Sequence, residues 1–258
     1  MSTSDRRWSV LAAEAALRIA ALYPEQMNIY ADRGNIAVLS RRCQWRSLDV
    51  SVTSIGLGEP LDGSRFNLIY LGGGQDDDQR RCAADLIETK RDGLLAAAAN
   101  GAVLLGVCGG YQLLGHWYEL GEERIDGVGL LDVETTRSDG PRLIGNVAIE
   151  TSLPGGPAGA TLAGFENHGG RTRLLAGAEP FGRVIRGHGN DGRSGDEGCR
   201  SGNVIGTYLH GPLLPANSWF ADWLITTALG AATPLVPLDD DLELEAHRAA
   251  CRAAGLSG

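Results

Sequence analysis

In AVLLGVCGGYQLLG, residues 102–115, an apolar run leads through Gly106 and Val107 into Cys108, and Gly109 and Gly110 follow before a helical pattern begins. Strand, sharp turn and helix in that order, with the spacing Gly106-x-Cys108-x-Gly110, follow the physical logic of a nucleophile elbow. Small flanking residues let the backbone turn tightly enough to present one side chain above a sheet. A sulfur placed at a helix N-terminus is favoured as thiolate by the partial positive charge and the N–H groups there. The N–H of Gly109 faces a natural position for an anion. The competing reading makes Cys108 a small buried hydrophobe at a strand end, the usual fate of a lone cysteine. The flanking glycines favour the nucleophile.

Three further segments carry chemistry of the same kind. LIYLGGGQD is an apolar run ending in Gly72, Gly73 and Gly74, whose successive N–H groups can point into the crevice of the elbow and supply a second oxyanion donor; as a bare motif it is also a plain turn. A thiolate acyl-transfer centre needs a base. Among five histidines, His210 follows an apolar strand and precedes a Gly-Pro stop in VIGTYLHGPLLP. His116 falls in the helix after the elbow, His188 in a polar loop and His247 in the tail, each readable as a surface or packing residue. His168, in GFENHGGRTRL, is a rival base or a hydrogen-bonded structural histidine. No acidic residue stands two positions after His210, where Pro212 and Leu213 close the segment, so the pair reads as a Cys–His dyad with any orienting group unidentified. Arg142, in RSDGPRLIGNV, lies between a turn and a strand, where a guanidinium can clamp a carboxylate in a bidentate fork or simply face solvent.

These residues need a scaffold. Short apolar β-rich runs at 17–22, 49–55, 66–71 and 102–107 alternate with helical patterns at 35–44 and 76–100. That alternation implies βαβ units, a mostly parallel central sheet flanked by helices, and ligand chemistry at the carboxyl ends of the strands. In the second half, strands are expected at 129–135, 146–151, 183–186 and 204–208, joined as hairpins, with an amphipathic helix over 216–229. HGNDGRSGDEGCRSGN, residues 188–203, is polar and Gly-rich enough to predict a mobile loop. An acidic run and an Ala-rich helix at about 239–254 read as a C-terminal extension of a single domain covering 1–258.

Composition narrows the classes. The 258 residues, 43% of them hydrophobic, suffice for one sizeable core, and a net charge of −9 argues against a phosphate-binding surface for nucleic acid. Cys43, Cys82, Cys108, Cys199 and Cys251 form no CxxC pair, which points away from a disulfide framework or a zinc ribbon and toward a reducing, cytoplasmic compartment. The N-terminal apolar stretch is broken by Glu14 and Arg18, too early for a membrane span.

Taken together, LGGGQD, GVCGGYQLLG, GFENHGGRT and NVIGTYLHGPLLP resemble, in order and approximate spacing, the class I glutamine amidotransferases, and within them the cobyric acid synthase-like branch. MNIYADRGNIAVLSRRCQWR and the Gly-Asn-rich loop before NVIGTYLHGPLLP are similar to the GatD group, the glutaminase subunits of lipid II isoglutaminyl synthases. The resemblance implies a flavodoxin-like α/β glutaminase domain that hydrolyses L-glutamine to glutamate and ammonia through a cysteine thioester. It implies a heterodimer with MurT, a Mur ligase-like subunit that binds ATP and amidates the D-glutamate of the lipid II stem peptide to D-isoglutamine. No metal and no cofactor are expected in this chain. On the family motifs Cys108 is the nucleophile, His210 the general base and acid, Arg142 the holder of the glutamine α-carboxylate and Gln112 a substrate contact. Gly73, Gly74 and Gly109 supply the oxyanion donors. Two other readings remain: a glutaminase feeding a corrinoid amide synthase, which calls for a fused ATPase with a G-x-x-x-x-G-K-[ST] segment absent from this sequence, and a DJ-1-like protein or cysteine hydrolase on the same elbow. A catalytically silent binding module is the third option.

Overall fold

The computed structural model describes residues 16–28, 33–230 and 235–256; the first fifteen residues, and with them Glu14, lie outside the described part. Its central element is a six-stranded sheet in the order β13-β14-β4-β3-β1-β2. The strands β1 (Ala16–Leu22), β2 (Asp49–Ile55), β3 (Leu68–Leu71), β4 (Val103–Val107) and β14 (Val204–Thr207) run parallel, and β13 (Cys199–Ser201) is antiparallel to β14 at one edge. The parallel order 2-1-3-4 followed by the last strand is that of a flavodoxin-like doubly wound sheet. Strands β3, β4 and β14 are buried along their whole length, as expected of near-continuous apolar runs covered on both faces.

The expected crossover helices form. Helix α1 spans Arg33–Gln44, and the 76–100 pattern becomes α2 (Asp76–Asp85), a π turn (Leu86–Lys90) and α3 (Arg91–Ala99). The π turn sinks Lys90 out of solvent onto Asp85, whose carboxylate also accepts from Tyr23 Oη at 2.7 Å and the Gly58 N–H at 2.7 Å. Burial pushes the Asp85 carboxyl up, but the bonds from Lys90, Tyr23, Gly58 and Thr89 together hold it below the usual carboxylate range. Helix α4 is Gly109–Leu114, α5 is Ser218–Ala228 and α6 is Asp241–Ala253. Buried Arg42 on α1 forks onto both Asp222 of α5 and Asp240 before α6, with bonds of 2.6–2.7 Å, and so fastens α5 and the start of the C-terminal helix to α1. Among the described residues no helix is long and apolar enough to cross a membrane.

The second half departs from expectation in three ways. First, two four-stranded sheets form, β10-β7-β5-β6 and β12-β11-β8-β9. They use β5 (Trp117–Leu120), β6 (Glu123–Asp126), β9 (Ala160–His168) and β10 (Gly170–Leu174), strands that the hydrophobic pattern did not reveal, together with β7 (Val133–Arg137), β8 (Leu143–Thr151) and β11 (Gly182–Arg186). Polar residues such as Glu166, Thr172 and Thr135 take inward positions there and break the alternation that marks a half-buried strand. Second, β14 is not one arm of a hairpin alone; it joins the parallel sheet beside β4. Third, 188–203 is not a mobile loop. It contains β12 (Asp196–Glu197) and β13, and Asn190, Glu197 and Cys199 are buried, because each polar side chain finds bonds inside.

Candidate active site

Strand register brings three chain segments together at the carboxyl end of the sheet. Gly106 pairs with Leu71 on one side and Gly206 on the other, and Val107 pairs with Thr207, so the Gly72–Gly74 loop, Cys108 and the Tyr208–His210 segment all leave the carboxyl ends of adjacent strands. Cys108 takes the left-handed backbone angles φ 53°, ψ −106°, a strained conformation for a residue with a side chain. It is held there at both ends: its N–H donates to Thr207 O at 2.8 Å, and its carbonyl accepts the Gln112 N–H at 3.2 Å. The flanking glycines are steric requirements. A Cβ on Gly110 would sit 2.2 Å from Leu71 O, and one on Gly106 would sit 2.7 Å from Leu114 Cδ1. The same close approach lets Gly110 N–H donate to Gly72 O at 3.0 Å, which fastens the triple-glycine loop to the elbow. On the other side of that loop, a Cβ on Gly74 would meet Met27 Sδ at 2.4 Å.

His210 lies just beyond β14, clamped by reciprocal backbone bonds with Phe165 of β9 at 2.9 Å each, and its ring meets the Phe165 ring edge to face at 6.2 Å between centroids. It is 1% exposed. Burial, with the Arg142 guanidinium adding to it, lowers its imidazole from the ordinary 6.5 to about 4, so that the ring is neutral at physiological pH. Arg142 stands immediately before β8 on the solvent side. Its Nε donates to Asn167 Oδ1 and its Nη2 to Asn167 O, both at 2.8 Å, which holds the guanidinium over the end of β9.

His168 is drawn into the same neighbourhood. Its ring stacks on Tyr208 at 3.6 Å with a 5° interplanar angle, and Nδ1 lies 2.9 Å from Gly170 O. Burial pushes it down to about 3, and the charges of Arg171, His210 and Arg142 act in the same direction. The other three histidines are tied elsewhere: His116 to Asp132, His188 through its backbone to Glu166, and His247 to Ala216 O. Gln112 projects from α4 into a polar chain. Its Oε1 accepts from Gln79 Nε2 at 2.7 Å, its Nε2 donates to Tyr208 Oη at 3.1 Å, and Tyr208 Oη continues to Thr172 Oγ1 at 2.6 Å and Thr135 at a further 2.7 Å.

The structure thus gathers Cys108, Gly109, the Gly73–Gly74 turn, Gln112 and His210 at the carboxyl ends of β3, β4 and β14, with His168 reaching in from the end of β9 and Arg142 at the rim. It adds residues that the sequence did not single out: Gln79, Tyr208, Thr207 and Asn167. Tyr208 had a signal, since it stands two residues before His210 in the same segment after β14. Asn167 had none, because its part is to hold Arg142 across a pairing, Leu143 opposite His168, that appears only in the folded sheet. An arrangement of a strained cysteine, a neutral buried imidazole and a guanidinium at the rim can carry out thiol acyl transfer on a substrate bearing a carboxylate.

Comparison with known proteins gives a consistent picture. A family model described as a CobB/CobQ-like glutamine amidotransferase domain matches residues 18–218. The chain is 38% identical over 214 residues to the lipid II isoglutaminyl synthase (glutamine-hydrolyzing) subunit GatD of Streptococcus pneumoniae, covering 83% of this chain and 80% of that protein. It is 36% identical over 228 residues to the GatD subunit of Staphylococcus aureus, covering 87% and 90%. A probable cobyric acid synthase of Methanothermobacter thermautotrophicus is 34% identical over 63% of this chain and 33% of its own length. Among solved structures, PurLQS from Thermotoga maritima has a chain that superposes with a TM-score of 0.56 at 21% identity, covering 83% of this chain and 95% of that one, a likeness of fold.

Proposed function

The chain belongs to the CobB/CobQ-like glutamine amidotransferase family, and from that premise we propose that it is the glutaminase subunit of a lipid II isoglutaminyl synthase. The observation that carries the reading is the strained Cys108 elbow, bonded through its N–H to Thr207, the last residue of the strand that leads to His210. The likeness to two GatD subunits, 38% and 36% identical over most of this chain, supports this assignment.

In this reading Arg142 takes the α-carboxylate of L-glutamine in a bidentate fork, and Gln112 contacts the substrate at the elbow helix. Cys108 Sγ attacks the side-chain carboxamide carbon while its proton passes to His210, and the tetrahedral oxyanion is held by N–H groups of Gly109, Gly73 and Gly74. Collapse breaks the C–N bond; His210 returns its proton to the leaving nitrogen and ammonia departs. A water molecule, deprotonated by the same imidazole, then attacks the γ-glutamyl thioester, giving glutamate and the free thiol. No cofactor enters these steps. Ammonia passes to a MurT-like ligase subunit, which binds ATP and converts the D-glutamate of the lipid II stem peptide to D-isoglutamine, in a cytoplasmic heterodimer.

The test is glutamate release from L-glutamine by the purified chain, alone and with a co-expressed Mur ligase-like subunit, in wild type and Cys108→Ala. Release that needs Cys108 and rises with the partner is the expected result. Equal inactivity of both proteins in the presence of the partner would show that the elbow is structural and the assignment wrong.

A further inference from the structure

The polar run 188–203 delivers a carboxyl group into the interior beneath the segment that carries His210. Glu197 ends β12 and is fully buried. It accepts the Tyr208 N–H at 2.7 Å, and both of its oxygens lie 3.0 Å from the Thr207 hydroxyl, which donates to them. Thr207 Oγ1 in turn accepts the Leu209 N–H at 3.0 Å. One side chain thereby fixes three successive residues, and His210 is the next. The Thr207 carbonyl also receives the Cys108 N–H at 2.8 Å, so the elbow and the histidine segment meet at the residue that Glu197 holds.

The run that supplies this carboxyl is itself held at each step. Glu166 on β9 accepts the His188 and Gly189 N–H groups at 2.7 and 2.9 Å. Asn190 exchanges two bonds with Gly198, each 2.9 Å. A buried carboxyl group carries a desolvation cost that an apolar residue of similar size avoids, so its presence is weak evidence of a gain in stability. What it provides here is a fixed backbone.

We propose that Glu197 is a positioning residue for the chemistry of Cys108, acting through Thr207 to set the backbone of residues 207–209 and hence the placement of the His210 imidazole against the sulfur. It would do so in a chain that lacks an acidic residue two positions after the histidine. The inference rests on the glutaminase reading for its substrate, though not for its geometry. Burial pushes the Glu197 carboxyl up to about 8 against the pull of its Tyr208 and Thr207 bonds, with the Glu166 carboxyl adding to the rise, so a neutral glutamine is its close substitute.

The test uses the full chain purified with its Mur ligase-like subunit and four variants: Glu197→Gln, Glu197→Ala, Thr207→Val and the Glu197→Ala/Thr207→Val double. Two quantities are read, kcat and KM for glutamate release and the peptide-resolved rate at which iodoacetamide alkylates Cys108. The glutamine variant is expected to stay within about 3-fold of wild type, while Glu197→Ala and Thr207→Val each lower kcat by about 10- to 100-fold, the scale of a 1 Å misplacement, with KM changed less than about 3-fold. Cys108 alkylation slows in parallel. The double variant is expected to fall no lower than the worse single, since both changes break one connection. Losses that multiply in the double, a loss confined to KM, or an unimpaired Thr207→Val each overturn the proposal. If Glu197→Ala does not fold, the remaining pair decides: a slow Thr207→Val beside a normal Glu197→Gln supports the proposal, and any other combination overturns it. Should wild type release no glutamate, the functional reading falls while the alkylation rates still judge the positioning.

Discussion

Cys108 and His210 were legible because each sits in a local pattern that physics makes specific: glycines around a strand-to-helix turn, and a histidine between an apolar strand and a Gly-Pro stop. Arg142 was legible as a position and not as a geometry, since its anchor Asn167 comes from another strand. The folded environment makes a sharp statement about this trio. The His210 imidazole, depressed to about 4 first by burial and then by Arg142, with neutral His168 beside it, loses its proton well below the ordinary histidine range. A base is active when unprotonated, so the acid limb of the kcat/KM profile for glutamate release is expected near pH 4 rather than 6.5. Arg142→Gln removes a cation that opposes protonation, and that limb should move up in pH. The same change should raise KM for glutamine by about 10- to 100-fold, the value of a charge-assisted bidentate clamp. Kinetics from pH 4 to 8 for the two proteins settle both points; a limb that stays in place when Arg142 is removed would detach the guanidinium from His210.

Among the elements, the short apolar strands β3 and β4 of the first half were legible because burial on both faces leaves near-continuous hydrophobic runs. The sheets of the second half were not, because they bury polar residues whose partners lie far along the chain: Thr135 with Thr172, Glu166 with 188–189, Glu197 with 207–208. The same reason hid the order in 188–203, whose composition is that of an unpacked loop while its side-chain bonds are those of a core. The π turn at Leu86–Lys90 was hidden too, because one inserted residue barely disturbs helical periodicity. Where the elements pack closest, the tolerance is least. At Gly110 an added methyl would lie 2.2 Å from Leu71 O and 2.9 Å from Gly72 O, both backbone atoms that cannot swing away. Gly110→Ala is therefore expected to cost about 2–3 kcal/mol in urea unfolding and to abolish most glutamate release by parting α4 from β3. Gly56→Ala is the control, since nothing lies within 4 Å of its added Cβ and its φ is not in the left-handed region; it should fall within about 0.5 kcal/mol of wild type. Equal behaviour of the two alanine variants would mean that the elbow is not held by this contact.

On the scale of the whole molecule, a site built from buried titratable groups ties stability to pH in opposite directions. His168 and His210 have folded values of about 3 and 4 against an ordinary 6.5, so the unfolded chain binds protons that the folded one refuses. Their contribution is present above pH 6.5 and is lost as pH falls toward 4. Glu197 works the other way. Its folded value of about 8 lies above the ordinary 4.5, so the folded chain keeps a proton that the unfolded one has released. That contribution is full below pH 4.5, declines as pH rises, and is gone above 8. Glu166, also raised by burial, leans in the same sense. Glu197→Gln replaces the carboxyl with a group that has no proton to lose, so its thermal midpoint should gain on wild type steadily between pH 5 and pH 8 and run parallel beyond. The gain is on the order of a few kcal/mol at most, since a tenfold difference in proton affinity between the folded and unfolded chains is worth about 1.4 kcal/mol. Calorimetric scans of both proteins at closely spaced pH values measure it directly. A constant offset across the range would mean that Glu197 keeps the same charge in the folded and unfolded chains, and that the bonds to Thr207 and Tyr208, together with the remaining fold, hold a carboxylate there without a proton.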